Sequence, residues 1–421
     1  MSGIDNHDNT PYDECGFFKL DKKDSGNPVS DWYLGHFNGF LRECGSLLAD
    51  NIGLEETEAI ILGGSFALGE GAISFESGNP IFLSDIDLLV VLNSREKLLE
   101  SLSLRKELGQ ACEALIPEAN FIGRVDVGIV HVDELRSFPP SPGIFVLKNH
   151  GQILYGKESI LDMLPSFDPE DIEVSEGLLL LENRMASLLT CWPGDDLEGE
   201  DEIYGFLYNI ARGYTDILTG TLIASKRYMA GYQKRWAYLD ERCDSLPFRD
   251  LITRVIVRKT RKWSVFKMNP SLDIIEVLDC EFREIYLECV EDILEAWNRC
   301  AAVLENDAVV PLTWKGLQHV AAFRSDKIHV VDWMRSWKPI MERLGWVNML
   351  RTAGFLGKAF FSSTPSGIVR AASVHLLAVL VKNGTESLVG SPPGGFPYSG
   401  GSWEDGADSC HRWWSRLVFG R

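Results

Sequence analysis

The chain has 421 residues, of which 45% are hydrophobic and 24% charged, an ordinary composition for a globular protein with room for two or three separate cores. Its 41 Lys and Arg against 61 Asp and Glu leave a net charge of −20, which opposes a phosphate backbone at long range and disfavours generic nucleic-acid binding. Nine cysteines without a Cys-x-x-Cys pair argue against a disulfide framework and a zinc ribbon, and the eight histidines form no His-x3-His or His-Glu-x-x-His array.

Residues 1–28 are rich in Asp, Asn, Gly and Pro, read as a flexible arm, and contain no apolar stretch of the secretory type. No run of about 18 apolar residues is present, since Ser373 and His375 interrupt the best candidate, so no membrane contact and a cytoplasmic location are expected. A first domain is expected over 29–168. It begins with helical spacing from Asp31 to Ile52, followed by the short β-branched run Glu58–Leu62 and by Gly63-Gly64-Ser65. Ser84-Asp-Ile-Asp-Leu-Leu-Val-Val-Leu92 reads as a buried strand, Arg95 to Leu115 as one charged amphipathic helix, and Arg124 to Val132 as another strand. Strands alternating with helices imply an α/β layer.

After Pro169 the pattern turns helical, at Val174–Leu189, Ile203–Thr219 and Ser225–Leu239, with Gly220 read as a break. Leu272–Asn306 adds one or two helices, which completes an all-α bundle over 169–308. A mostly helical region follows over 309–389, and 390–421 reads as a Gly/Pro/Ser-rich tail, with no core pattern from Gly390 to Gly406. Cys280, Cys289 and Cys300 fit a helical pattern as small buried hydrophobes. The basic stretch Arg254–Lys267 could meet a phosphate-rich ligand, or simply balance acidic neighbours as an amphipathic helix. His131 and His150 could act as bases, but single histidines near strand ends are more often structural or exposed.

The chemistry concentrates in the first domain. Asp is depleted in strands, yet Asp85 and Asp87 open one, and residues two apart on a strand share a face. Two convergent carboxylates call for a cation, and hard oxygen ligands suit magnesium rather than zinc. Asp126 can add a third carboxylate if the two strands lie side by side. Such a trio could hold two ions for in-line displacement at phosphorus. Gly64 and Ser65, between a strand and a helix start, could cradle phosphates with backbone amides and a hydroxyl. A Walker A loop fails because Glu70 stands where Lys is required, and Gly69-Glu70-Gly71 lacks the third glycine of a dinucleotide fingerprint. Taken singly, each part has a structural reading: the aspartates can cap a turn, the glycines can make a tight connection, and Asp126 can pair with an arginine.

Gly64-Ser65, then Asp85-Ile-Asp87, then Asp126 resembles the signature of the polymerase-beta-like nucleotidyltransferases. The gap from Ser65 to Asp85 is longer than usual, which implies an insertion around Phe75–Pro80. A narrower likeness covers roughly residues 30–245. Gly151-Gln-Ile-Leu-Tyr-Gly156, Trp192-Pro193, Asp201-Glu202, Ala211-Arg212, Thr219-Gly220 and Ala224-Ser225-Lys226 look like the streptomycin/spectinomycin adenylyltransferases. The spacing from Gly220 to Lys226 is one residue longer here. The resemblance implies an α/β nucleotidyltransferase domain, a small mixed sheet with flanking helices, covered by a helical domain. It also implies magnesium-dependent transfer of a nucleoside monophosphate, from ATP or another NTP, to a hydroxyl of a small acceptor, a cationic aminoglycoside in that family. By the same resemblance Asp85, Asp87 and Asp126 bind metal, Gly64, Ser65 and Lys226 bind nucleotide, and Asp201 or Glu202 faces the acceptor's ammonium groups. For Asp201 and Glu202 the plain alternative is an acid favoured by a helix dipole, and for Lys226 a solvated helix face. Protein or nucleotide adenylylation in signalling, or a non-catalytic nucleotide-binding protein, are the rival functions.

Overall fold

The computed structural model describes residues 36–76, 79–193, 197, 199–242, 253–278, 280–304, 311–313, 317, 330–356, 358–385 and 396–419. The N-terminal arm expected over 1–28 lies outside them. The chain divides into two compact units. The first runs to Asp168 and takes in Ala230–Tyr232 and Val265–Leu272, and the second holds Pro169–Met229, Gln233–Ser264 and Asp273 onward.

The first unit contains two small sheets. Strands β1 (Thr57–Leu62), β4 (Ile86–Leu92), β6 (Val125–His131) and β7 (Gln152–Gly156) form a mixed sheet in the order β6-β4-β1-β7. In it β4 and β6 are parallel, while β1 is antiparallel to both β4 and β7. Strands β2 (Ile73–Glu76), β3 (Asn79–Phe82) and β5 (Asn120–Phe121) make the second sheet. The antiparallel β2–β3 hairpin lies in the chain between Ser65 and Asp85. One face of the larger sheet buries Ile86, Leu88, Val90, Val125, Val127 and Ile129 with Leu41, Cys44 and Leu48 of helix Asn38–Ile52. The other face packs Leu89, Val91 and Val130 with Leu135, Leu147 and Ile160.

The single helix expected over Arg95–Leu115 is instead two, Arg95–Ser101 and Arg105–Glu113, joined by a 3-10 turn at Leu102–Leu104. Leu98 and Ser101 are buried on the first piece and Leu108, Gly109 and Cys112 on the second, with the exposed 3-10 turn between them. Gly109 is needed there, because a Cβ would strike the carbonyl of Val125.

The second unit is mostly helical, built on Val174–Leu188, Glu200–Ala224, Phe282–Leu304, Pro365–Asn383 and Trp403–Phe419. Gly220 does not break a helix. It lies inside Glu200–Ala224, where Gly177 of Val174–Leu188 comes so near that a Cβ on Gly177 would stand 3.2 Å from the Gly220 carbonyl oxygen. Beside this crossing the Arg184 Nε donates to Asp216 Oδ2 at 2.7 Å, a buried ion pair. Gly220→Val is expected to lower stability by about 1–3 kcal/mol through overpacking. Gly354→Ala, where a Cβ meets nothing within 4 Å, should be neutral or slightly stabilising. Urea unfolding decides between them, and a Gly220→Val protein as stable as wild type would remove the packing role.

The tail reading of 390–421 needs correction as well. Trp403–Phe419 is a helix that buries Trp403, Ala407, Cys410 and Trp414, at spacings of four, three and four residues. The tryptophan Nε1 of Trp403 donates to the Leu376 carbonyl at 2.7 Å, which ties it to Pro365–Asn383. That second helix is long and apolar enough by composition to cross a membrane, with mean hydropathy 1.3. Here Ile368, Val369, Ala372, Leu376 and Leu377 are buried among the helices of the unit. Cys289 and Cys300 are buried as expected of small hydrophobes, and burial pushes the Cys300 thiol up to about 12. Cys280 is exposed, because it precedes the helix Phe282–Leu304 rather than lying within it.

Candidate functional site

Strands β3 and β4 are nearly continuous, separated only by Leu83-Ser84-Asp85, and β5 and β6 are separated by Ile122-Gly123-Arg124. Both parallel pairings, β3 with β5 and β4 with β6, are interrupted at this level. Gly123 packs against Ser84, where a Cβ would lie 2.6 Å from the Ser84 oxygen, and its amide donates to Phe82 O at 2.8 Å. Ser84 is buried, and its hydroxyl accepts from the Ala72 amide at 2.8 Å. The break therefore has a defined geometry, with Asp85 on one side and Arg124 on the other.

Just past the break, Asp87 of β4 and Asp126 of β6 are register partners in the parallel ladder. Partners on adjacent strands present their side chains on the same face of a sheet, so the two carboxylates are neighbours. Both are exposed, whereas Ile86, Leu88, Val125 and Val127 on either side of them are buried. Asp85, half-buried, precedes the strand. Ile86 N donates to Arg124 O at 2.8 Å across the two strands, and Val125 N donates to Glu113 Oε1 of the helix Arg105–Glu113 at 2.9 Å, which fixes the start of β6.

On the other side of Asp87 lies the glycine pair. The Gly63 amide donates to Asp87 O at 2.8 Å. Gly64 has φ 61°, and a Cβ there would collide with the Asp87 carboxylate. A side chain is thus excluded twice, by the left-handed backbone and by contact. The helix start expected here is a single turn, Gly64–Ala67. Its first amides have no intrahelical acceptor, and Ser65 adds a hydroxyl, but one turn carries little of a helix dipole. Phe66 anchors the turn in the core, 5.0 Å from the Phe37 ring, and Gly71 leaves room for it, since a Cβ at Gly71 would overlap the Phe66 ring.

The donor set fits magnesium, which is commonly held by one or two carboxylates and otherwise by water and substrate phosphates. Asp87 and Asp126 would be those ligands. Among the described residues, no group of three or more His, Cys, Asp or Glu side chains is placed to hold a metal ion. Instead the Arg124 guanidinium, Nη2, stands 3.8 Å from Asp126 Oδ2. This is the arginine pairing that the sequence left open as the structural reading of Asp126, and Arg-x-Asp in extended chain places cation and acid on one face. Glu70 has a role that the sequence reading missed. Its carboxylate is buried and accepts from the Tyr232 amide at 2.8 Å, while its own amide donates to Ser65 O at 2.8 Å. It thereby ties the turn to the chain segment that returns at Ala230–Tyr232.

The remaining candidates belong to the second unit. Lys226 follows the C-terminus of Glu200–Ala224 with φ 56°, and the bonds Lys226 N to Ile223 O and Arg227 N to Leu222 O, at 2.9 and 2.8 Å, close a Schellman motif. Its ammonium donates to Glu170 O and Ile172 O, each at 2.9 Å. Lys226 therefore straps a preceding loop to the end of the helix. Asp201 and Glu202 are exposed in the first turn of that helix, after Gly199 with φ 102°, where the dipole favours acids.

Among the weighed histidines, His131 is buried and satisfied. Its Nδ1 accepts from Asp133 N at 3.2 Å, which leaves Nε2 to donate to Asn93 O at 3.1 Å. The basic stretch is the helix Arg254–Met268, whose Lys259 pairs with Glu288 and Asp292 at 2.8 and 2.7 Å. No family model, no curated protein and no solved structure matches this chain.

Proposed function

We propose that the protein is a magnesium-dependent nucleotidyltransferase, which moves a nucleoside monophosphate, AMP from ATP in the first instance, onto a hydroxyl of a small acceptor. The observation that supports it most is the pair Asp87 and Asp126, side by side on the sheet, with side-chain-free Gly64 against Asp87. A tight turn accounts for a glycine at φ 61°, and what it adds here is a backbone that lies against the Asp87 carboxylate with no side chain between them.

In this reading Asp87 and Asp126 hold magnesium, water and substrate phosphates are its other ligands, and the third metal carboxylate expected of Asp85 is left out of the set. The bound ion would neutralise phosphate charge and polarise the reacting phosphorus. The amides of the Gly64–Ala67 turn and the Ser65 hydroxyl grip the triphosphate. Asp126 accepts the proton of the acceptor hydroxyl as it attacks the α-phosphorus, the P–O bond to pyrophosphate breaks, and pyrophosphate leaves. Catalysis is mostly positioning and charge neutralisation, as phosphoryl chemistry requires. The net charge of −20 agrees with a cationic acceptor such as an aminoglycoside.

The test is incubation with α-labelled NTPs, magnesium and a panel of hydroxylated amines, followed by separation of small molecules from protein. Label on a small molecule with pyrophosphate release is the expected result. Label on the protein would move the acceptor to a side chain, and neither product with any NTP would end the transferase reading. A second expectation concerns binding alone. ATP near 100 times its Kd should stabilise the protein by about 2.7 kcal/mol with magnesium present, and hardly at all in EDTA, because the acids repel bare phosphate. Equal thermal shifts in both conditions would contradict the metal-bridged mode.

A further inference from the structure

We propose that Arg124 is an internal counter-ion that holds the place of the divalent cation until metal and triphosphate arrive together. The inference rests on the metal-site reading of Asp87 and Asp126. Two carboxylates side by side repel, and something positive must offset them. The chain itself supplies that charge. Arg124, two residues before Asp126 on the same strand edge, brings Nη2 to 3.8 Å from Asp126 Oδ2, and its side chain is only 21% exposed. The backbone around it is pinned by the bonds from Ile86 N to Arg124 O and from Val125 N to Glu113 Oε1. An exchange of partners at Asp126 therefore proceeds by rotation of the arginine side chain, without movement of the strand.

The consequence is a coupling between two ligands. Metal alone competes with the guanidinium for Asp126, so its affinity is held down. A triphosphate offers the displaced guanidinium a new anionic partner, for which arginine's fork of donors is well shaped. Metal and triphosphate then favour one another, and the coupling is reciprocal by linkage. An enzyme so built resists loading with metal alone and assembles its site when the nucleotide is present.

Isothermal titration of the full chain with magnesium, with and without a non-hydrolysable triphosphate, reads this directly. Arg124→Met is expected to bind magnesium alone about fivefold more tightly than wild type, the scale of a partly exposed ion pair. The gain in magnesium affinity on adding the triphosphate should shrink by about the same factor. Arg124→Lys, which keeps the charge, should retain both wild-type behaviours in large part and shows that a change in Arg124→Met does not come from misfolding. Magnesium binding to Arg124→Met that is equal to wild type or weaker overturns the counter-ion role, while the carboxylate site stands. Absence of magnesium binding in wild type and both variants, with triphosphate present, ends the carboxylate reading and the proposal with it.

Discussion

Asp87→Asn is expected to lower nucleotidyl transfer at least about 10³-fold while leaving the fold unchanged. Asp87 is the centre of the candidate site, with Asp126 on one side in the ladder and Gly64 on the other. On the proposed reading, removing its charge while keeping its shape would take away a metal ligand whose clamp on the phosphates is worth several kcal/mol, and each 1.36 kcal/mol is about a factor of ten in rate. Stability should stay within about 0.5 kcal/mol, because the side chain is exposed and its loss relieves repulsion with Asp126. Steady-state transfer assays with magnesium and a thermal melt together check both halves. Transfer within a few-fold of wild type would show that β4 carries no catalytic carboxylate.

Gly64→Ala is expected to cost about 10² in transfer together with a measurable loss of stability. Two effects combine. A non-glycine residue at φ 61° carries a backbone penalty of about 1–2 kcal/mol, equivalent to a fall of roughly 2–4 °C in Tm per kcal/mol for a unit of this size. The added Cβ also collides with the Asp87 carboxylate, so either the carboxylate or the turn must shift, and a displacement of about 1 Å at a reacting centre costs about 10² in rate. Gly63→Ala is the control. There φ is −118°, and a Cβ would meet Leu147 Cδ1 at 3.3 Å and the Asp87 carbonyl oxygen at 3.8 Å, so most of the activity should survive. Similar losses in both variants would mean that the turn is merely intolerant of bulk. A fully active Gly64→Ala would separate the glycine from the chemistry.

Short-range pattern made much of the first unit legible. The β-branched runs at Glu58–Leu62 and Ile86–Leu92, the alternation through Val125–His131 and the spacing up to Ile52 are local properties, and strands and a helix stand there. Asp85 and Asp87 stood out for a local reason too, since acids are disfavoured at the start of so apolar a strand. The second unit was less legible where a residue's role depends on its neighbour. Gly220 carries the same propensity whether it ends a helix or lets two helices touch, and only the approach of Gly177 distinguishes the two. The helix Trp403–Phe419 follows a stretch rich in Gly, Pro and Ser, and its apolar stripe of Trp403, Ala407, Cys410 and Trp414 acquires meaning from the helix Pro365–Asn383 that it packs upon.

By itself, then, the sequence determined which residue types were available for chemistry: three aspartates on strand-like segments, a glycine pair after a strand, and an acidic surface. The tertiary structure decided which of them meet. Lateral register between β4 and β6 is a long-range property, set by the burial of one face of each strand and by the close approach of Gly123 to Ser84, and no local pattern encodes it. That register sets Asp87 beside Asp126, and the Arg124 guanidinium stands 3.8 Å from the Asp126 carboxylate. It also fell to tertiary contacts to give Lys226 its partners, because the carbonyls of Glu170 and Ile172 lie more than fifty residues upstream, where spacing carries no information about contact.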